Sequence, residues 1–303
     1  MKNLSLRQLQ VFDAFADTLS YSGAAEVLGI TQPAVSMLMR QLESDAGMAL
    51  TVRQGRRMDL TAAGTMLLRH ARSILEQVRL AEESLASLKS GTRGHLHLGV
   101  VSTANYFAPQ LLMEFQRRTP GVTFKLSVAR RDEILAMLRN HRLDVAIAGQ
   151  PPGEADVEAE TFARHPHCIV AAPQHRMAGQ RRIPWRELRD EPFIFRETGS
   201  ATRQFLEHLL QAQALKVKVS IELSGNETIK QAVMAGMGIS FMSAHAVQVE
   251  LAAGRMVVLD VMDMPKWLDW CLLHRRDSQL GGLSAAFCEF VREHGGAVAA
   301  CRM

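Results

Sequence analysis

The first 30 residues place apolar side chains at the spacing of α-helices. The pattern predicts an amphipathic helix over residues 6–19 with Ser5 as its N-cap. A shorter second helix is predicted over residues 23–28, capped by Ser22 and ended by Gly29. The apolar positions of the first helix are Leu9, Phe12, Phe15, Ala16 and Leu19.

The next stretch, TQPAVSMLMRQLE (31–43), predicts a third helix with two different faces. Thr31 is a suitable N-cap, and Pro33 fits the first turn. Two helices joined by a short glycine-containing turn form a helix-turn-helix, whose second helix enters the major groove of DNA. The core-facing stripe is Val35, Leu38, Met39 and Leu42, and the outward DNA-facing positions are Thr31, Gln32, Pro33, Ser36, Met37 and Arg40.

A short hairpin is predicted over LTVRQGRRMDL (50–60), with Gln54-Gly55 at its tip. This hairpin would form a wing beside the helix-turn-helix, so residues 1–60 are interpreted as a winged helix-turn-helix domain. Its flanking arginines suit contacts to phosphates or to the minor groove. These arginines are Arg53, Arg56 and Arg57.

A long helix is predicted to follow over residues 61–90. Its apolar positions alternate spacings of four and three, which is the heptad pattern of a helix that pairs with another helix. We therefore interpret it as a linker that also makes a dimer, with SGTRG (90–94) as a hinge at its end. The seam consists of Leu67, Ala71, Ile74, Val78, Ala81, Leu85 and Leu88.

From residue 91 to 303 the pattern changes to strands that alternate with helices. Examples are the strand HLHLGVV (95–101), a helix over 109–118 and the strand GISFMS (238–243). Such alternation favours an α/β fold with a parallel sheet, and its length suggests two Rossmann-like lobes. The predicted lobes are about 91–162 together with 267–303, and 163–266.

Composition agrees with a globular protein, since 47% of residues are hydrophobic and 22% are charged. No apolar run approaches the roughly 20 residues of a membrane span, and the N-terminus lacks a signal-peptide core, so a cytoplasmic location is expected. The net charge of +4 is too small to imply a polyanionic partner, but the clustered wing arginines form a local basic patch. The scattered cysteines suggest neither a disulfide framework nor a zinc ribbon; they are Cys168, Cys271, Cys288 and Cys301.

The order of these parts resembles the LysR-type transcriptional regulators over the entire chain. Residues 6–43 are similar to the family's helix-turn-helix signature, and RRMDLTAAG (56–64) is similar to its wing-to-linker motif. The family usually has Leu-Phe before the wing, whereas this chain has Leu50-Thr51, which predicts a less firmly packed wing anchor. The resemblance implies an effector domain of the type II periplasmic-binding-protein kind.

Within the family, the second part of the chain is similar to the regulators of Calvin-cycle (RuBisCO) operons. The stretches that carry this similarity are residues 101–122, 142–152, 196–203 and 226–243. The resemblance implies a dimer of dimers that bends promoter DNA and admits RNA polymerase when an effector binds. It also implies an effector that is a phosphorylated metabolite or a reduced nicotinamide nucleotide such as NADPH.

Candidate effector contacts lie at turns where strands give way to helices, because hydroxyls and free N–H groups there bind anions. The resemblance places the effector in a cleft between the lobes, and arginines at its rim would pair with carboxylate or phosphate. Ordinary helix capping and surface charge remain the alternative for each position. The candidates are Ser102, Thr103, Ala104, Arg196, Thr198, Gly199, Ser200, Thr202, Arg203, Asn226 and Glu227.

Other classes of function are less well supported. An enzyme built on the α/β lobes would need a nucleophile with a base, a metal set or a cofactor motif, and none is visible. His165, His167 and Cys168 lack a matching second pair, so neither a metal nor a tightly bound cofactor is expected. A LysR-type regulator of sulfur, amino-acid or aromatic metabolism, with a different anionic effector, stays an open alternative.

Overall fold

The computed structural model describes residues 4–55, 57–90, 94–149, 156–276, 280 and 282–301. The chain divides into two compact units, Met1–Gly91 and Thr92–Met303. The first unit is a winged helix-turn-helix followed by a long helix, and the second is an α/β domain. The predicted fold class is thus confirmed.

Four helices and one hairpin form the first unit. The helices enclose a core in which Phe12, Phe15 and Met39 are fully buried. Most of the predicted apolar positions of α1 and α3 face this core, but Leu19 follows the end of α1 and is 40% exposed. The elements are α1 (Leu6–Thr18), α2 (Tyr21–Leu28), α3 (Gln32–Ala46), β1 (Thr51–Gln54), β2 (Arg57–Leu60) and α4 (Ala62–Ser90).

The helix starts are set by their caps. Ser5 and Gln8 form the capping box of α1, as the predicted N-cap requires. The predicted start of α2 is wrong by two residues, because Ser20, not Ser22, has the extended backbone and accepts the Gly23 amide. Thr31 occupies the N-cap position of α3, but its side chain makes no capping hydrogen bond.

The first half of α4 packs into the same core instead of projecting away from it. A Cβ on Gly64 would stand 2.1 Å from the Leu50 carbonyl oxygen, so only glycine permits this close approach. Further along α4, Arg72 donates to Asp13 and Asp17 of α1 at 2.6 Å and 2.7 Å. The long helix is therefore fastened to the winged helix-turn-helix at two levels.

The described residues of the second unit form nine strands interleaved with helices. Its main helices and strands are β3 (Gly94–Val101), α5 (Ala108–Arg118), β4 (Val122–Ala129), α6 (Arg131–Arg139), β5 (Val145–Gly149), β6 (Val157–Ala171), β7 (Pro192–Arg196), α7 (Ala201–Ala212), β8 (Lys218–Leu223), α8 (Asn226–Met234), β9 (Ser240–Ser243), α9 (Ala244–Ala252), β10 (Val257–Val258), β11 (Lys266–Arg275) and α10 (Gly282–Phe290), which continues as a π-helical turn over Val291–Gly295.

Two long strands connect the two halves of this unit. β3 is parallel to β4 and β5, but β6 and β11 run antiparallel to each other, and β11 is antiparallel to β5. The sheet is therefore mixed, unlike the purely parallel sheet that the alternation predicted, because the chain crosses between halves along β6 and returns along β11. We call the half with β3, β4 and β5 lobe I, and the half with β7 to β10 lobe II.

Candidate functional site

One face of α3 is open to solvent. Val35, Met39 and Leu42 are fully buried, which turns the opposite side of the helix outward. Arg40 lies on that side and donates from Nε to the Ser36 carbonyl at 3.2 Å. Of the predicted contacts, Ser36 is half-buried, and the exposed ones are Thr31, Gln32, Pro33, Met37 and Arg40.

The wing stands next to this face. Gln32 of α3 and Arg57 of β2 line one surface depression, so the helix and the wing present polar groups to a common surface. Arg53 is also exposed and donates to the Gly55 carbonyl at the hairpin tip. Arg56 lies outside the described residues.

The wing anchor is polar where the family pattern expects an aromatic ring. Leu50 is buried as expected, and the hydroxyl of Thr51 bonds to the Glu43 carboxylate at 3.0 Å. That carboxylate also accepts both backbone amides of Leu50 and Thr51. A charged hydrogen-bond cluster thus replaces the packing that Thr51 was predicted to lose.

The predicted dimer seam on α4 divides into two parts. Leu67 is half-buried and Ala71 fully buried, both within the core of the first unit. Beyond them, Ile74 is 40% exposed and Leu85 is 62% exposed, so the second part offers apolar groups to solvent. Val78 is half-buried, Ala81 is exposed, and the Leu88 side chain lies outside the described residues.

A cleft that is partly open to solvent lies between lobe I and lobe II of the second unit. Turns from both lobes reach it, namely the ends of β3, β4 and β7, together with the middle of β6. Six predicted effector contacts line it: Ser102, Thr103, Arg196, Gly199, Ser200 and Thr202.

The other predicted contacts lie elsewhere. Ala104 is fully buried in the lobe I core, and Thr198 is exposed and donates its amide to Glu222. Arg203 pairs with Glu207 and Glu222 on the surface of lobe II.

The hydroxyls in the cleft are available to a ligand. Ser102, Thr103, Ser200 and Thr202 are not seen to form a side-chain hydrogen bond within the described part of the chain. Ser200 is the N-cap of α7 with an extended backbone, but its side chain does not cap the helix. The first-turn amides of α7 and these hydroxyls together make an arrangement suited to an anion.

Charge in the cleft is positive. Among the described residues that line it, Arg130, Arg131 and Arg196 are positively charged and Glu197 is negatively charged. Arg130 also pairs with Asp132 and Glu133 of α6. Arg196 donates two hydrogen bonds, of 2.8 Å and 2.7 Å, to the Glu197 carboxylate. These hydrogen bonds hold the pKa of Glu197 below its usual value. The guanidinium of Arg196 also donates a hydrogen bond to the side-chain oxygen of Asn226 at 2.8 Å.

Sequence reasoning missed Arg130 and Arg131. Arg130 is the N-cap of α6 and Arg131 its first residue, directly after β4, and Arg131 donates to the Gly149 carbonyl at 2.6 Å. Their position where a strand gives way to a helix could have identified them, as it identified Ser102 and Ser200.

Two histidines of β6 form the floor of the cleft. The ring of His165 stacks on Trp270 at 3.8 Å, and that of His167 stacks on Phe241 at 5.2 Å. Burial lowers the pKa of His165 well below its ordinary value and lowers that of His167 to about 4, so both rings are neutral at pH 7. Among the described residues, no group of His, Cys, Asp and Glu side chains could hold a metal ion.

Glu227 joins the lobes outside the cleft. It accepts a hydrogen bond from the Tyr106 hydroxyl of lobe I at 2.6 Å and pairs with Lys230 of α8 at 2.9 Å. Lys230 also pairs with Glu250 and lies 5.2 Å from the centre of the Tyr106 ring. This cluster gives Glu227 a bridging position between the lobes.

Within the described ranges, no helix has both the length and the apolar character to cross a membrane.

Two family descriptions match the chain. "Bacterial regulatory helix-turn-helix protein, lysR family" matches residues 6–65, and "LysR substrate binding domain" matches residues 89–296.

Similar proteins cover nearly the whole chain. The chain is 42% identical over 289 residues to the RuBisCO operon transcriptional regulator of Allochromatium vinosum, covering 95% of this chain and 96% of that protein. It is 45% identical over 287 residues to the HTH-type transcriptional regulator CbbR of Rhodospirillum rubrum, covering 95% of each.

Among solved structures, the regulatory domain of Synechocystis PCC6803 CcmR in complex with 2-PG is 35% identical, with a TM-score of 0.64. It covers 66% of this chain and 97% of that one. These relatives are named as regulators and not as enzymes. The chain therefore belongs to the LysR family and is a DNA-binding transcriptional regulator with an effector-binding domain.

Proposed function

We propose that this protein regulates carbon-fixation genes in response to a small phosphorylated acid that binds in the cleft. The observation that carries the proposal is the cleft itself, where, among the described residues, four hydroxyls that form no side-chain hydrogen bond accompany three arginines and one carboxylate. The names of the relatives that are 42% and 45% identical support the choice of genes. The CcmR complex supports 2-phosphoglycolate (2-PG) as the first effector to test.

The lining of the cleft favours a compact anion over a nicotinamide nucleotide or an aromatic acid. Its apolar members are small or aliphatic, namely Val101, Ala129, Ala201 and Leu268. No Phe, Tyr or Trp side chain belongs to its described lining, so a flat ring would have only the buried imidazoles to stack on. Hydroxyls, arginines and a helix N-terminus suit phosphate and carboxylate groups instead.

For DNA, the proposal uses the exposed face of α3 and the wing. Gln32 would pair with a base edge, and Arg53 and Arg57 would contact phosphates or the minor groove. Two chains joined along the exposed apolar part of α4 would present their recognition helices about 34 Å apart, one turn of DNA. A pair of such dimers would bend the promoter, and the effector would alter the bend and so the access of RNA polymerase.

Two experiments on the full chain test this proposal. A thermal-shift screen would compare 2-PG with phosphorylated sugars, phosphoenolpyruvate, NADPH, sulfate and aromatic acids, because ligand binding to the folded state raises stability. Sequencing of genomic fragments captured by the protein would identify its promoters. Stabilisation by 2-PG and capture of carbon-fixation promoters are expected. Stabilisation only by an aromatic acid, or capture only of other promoters, would contradict the proposal.

A further inference from the structure

The floor of the cleft contains a buried nitrogen atom without a partner. His165 is 3% exposed and lines the cleft, and its Nδ1 makes no hydrogen bond with any described residue. Its other nitrogen, Nε2, lies 2.9 Å from the Ser243 hydroxyl. Since buried polar atoms nearly always have a partner, an orphaned nitrogen at a cleft floor points to a ligand.

The neighbouring ring nitrogens do not share this position. His245 Nδ1 and Trp270 Nε1 are also buried without a partner, and both rings contact His165. Neither residue lines the cleft, whereas His165 does. Of the three nitrogens, the one on His165 is therefore placed to meet a bound molecule.

Gly149 lies against this nitrogen. It lines the cleft at the end of β5, and a Cβ at Gly149 would stand 3.0 Å from His165 Nδ1. An alanine methyl there would therefore press on the nitrogen and leave no room for a ligand atom beside it. The Gly149 carbonyl meanwhile accepts a hydrogen bond from Arg131, so the glycine also fixes an arginine of the cleft.

We infer that His165 is a specificity-determining residue of the effector site, which donates one hydrogen bond from Nδ1 to an oxygen of a small phosphorylated or carboxylic anion beside Gly149. This inference rests on the proposed effector site and adds a residue that recognises the ligand by a hydrogen bond. In this proposal Ser243 donates its hydroxyl proton to Nε2, so that the proton of the ring is carried by Nδ1. The arginines then supply charge, and His165 supplies an uncharged donor with a fixed direction.

Two substitutions at His165 distinguish the contribution of Nδ1 to ligand binding from that of Nε2. The amide nitrogen of His165→Asn reaches the place of Nδ1, whereas that of His165→Gln reaches the place of Nε2. Gly149→Ala places a methyl group beside His165 Nδ1 and keeps the hydrogen bond between His165 and Ser243. Calorimetric titration of the full-length protein with 2-PG measures the dissociation constant of each variant, and DNA affinity and melting temperature report that each one is folded.

We expect His165→Asn to bind 2-PG within about threefold of the unsubstituted protein, because one hydrogen bond is kept. His165→Gln and Gly149→Ala should each weaken binding about tenfold or more, because a bond to an anion is lost.

Some results would contradict the inference. If His165→Gln and Gly149→Ala bind 2-PG normally while Ser200→Ala does not, the effector site stands and the role of His165 is overturned. Equal losses in both His165 variants with a normal Gly149→Ala would assign the ring to packing. If the unsubstituted protein binds neither 2-PG nor another anion of the screen, the proposed function fails together with the inference.

Discussion

The Glu43 carboxylate of α3 holds Thr51 at the start of the wing, with Oε1 3.0 Å from both the amide nitrogen and the hydroxyl of Thr51. The same oxygen accepts the Leu50 amide at 2.9 Å. One side chain of the recognition helix thus fixes the origin of the hairpin. The orientation of the wing relative to α3 depends on this carboxylate.

We predict that Glu43→Ala loosens the wing and weakens DNA binding. Loss of hydrogen bonds to a charged acceptor should destabilise the hairpin by about 2 kcal/mol. Hydrogen–deuterium exchange over residues 51–60 should accelerate, while the second unit keeps its protection. Glu26→Ala, an exposed carboxylate of α2, is the matched control. Unchanged exchange in Glu43→Ala would show that the wing is held by its apolar contacts.

Substitutions on the DNA face should separate phosphate contacts from base contacts. Arg53→Ala should lower affinity for every sequence and reduce the slope of log affinity against log salt by about 1. Gln32→Ala should cost about 1–3 kcal/mol on the specific site and much less on unrelated DNA. Fluorescence anisotropy at several salt concentrations measures both. Arg189→Ala, exposed on the second unit, should leave both quantities unchanged; an equal effect there would refute the assignment.

Acid should destabilise the second unit through its buried histidines. Because the pKa of His167 is about 4 when folded and 6.5 when unfolded, only the unfolded chain takes up the proton between these values. Stability is therefore highest above pH 6.5 and falls as the pH drops towards 4, with His167 costing about 1.4 kcal/mol at pH 5.5. The lowered pKa of His165 acts with the same sign.

Urea unfolding at pH 7.5 and 5.5 measures this effect. All three tryptophans lie in the second unit, so their fluorescence follows that unit. His167→Phe should reduce the difference between the two pH values, whereas substitution of the exposed His208 by Asn should not. An identical pH response in His167→Phe would contradict the assignment.

Lys230 is predicted to stabilise the second unit. It is 4% exposed and pairs with Glu227 and Glu250, so Lys230→Met would leave the partly buried Glu250 carboxylate without its cation. The expected loss is about 3 kcal/mol, measured by urea unfolding with tryptophan fluorescence. Lys216→Met, at an exposed position, is the control. A loss no larger than that of the control would show that the ion pairs contribute nothing.

The turns of the cleft could be predicted because their rule is local. Ser102 and Ser200 follow strands and precede helices, and the chain order alone shows this. Arg131 obeys the same rule at the end of β4, but this turn was not among the predicted effector contacts. His165 could not be predicted, since its place depends on how the long strand β6 pairs with β11 and with β9.

The heptad pattern of α4 shows a different limit. Apolar residues at that spacing require a partner surface, but the pattern does not say which one. For Leu67 and Ala71 the partner is the core of their own unit, because Gly64 and Arg72 hold α4 against it. For Ile74 and Leu85 a second chain remains the proposed partner.

Calorimetric titration of the full-length protein with 2-PG, repeated for Ser200→Ala and Thr103→Ala, tests whether this cleft binds the effector. We expect the unsubstituted protein to bind 2-PG and each variant to lose about tenfold in affinity. Ser224→Ala, exposed outside the cleft, should bind normally. Undiminished binding in Ser200→Ala and Thr103→Ala, or no binding by the unsubstituted protein, would contradict the claim that this cleft receives the anionic effector.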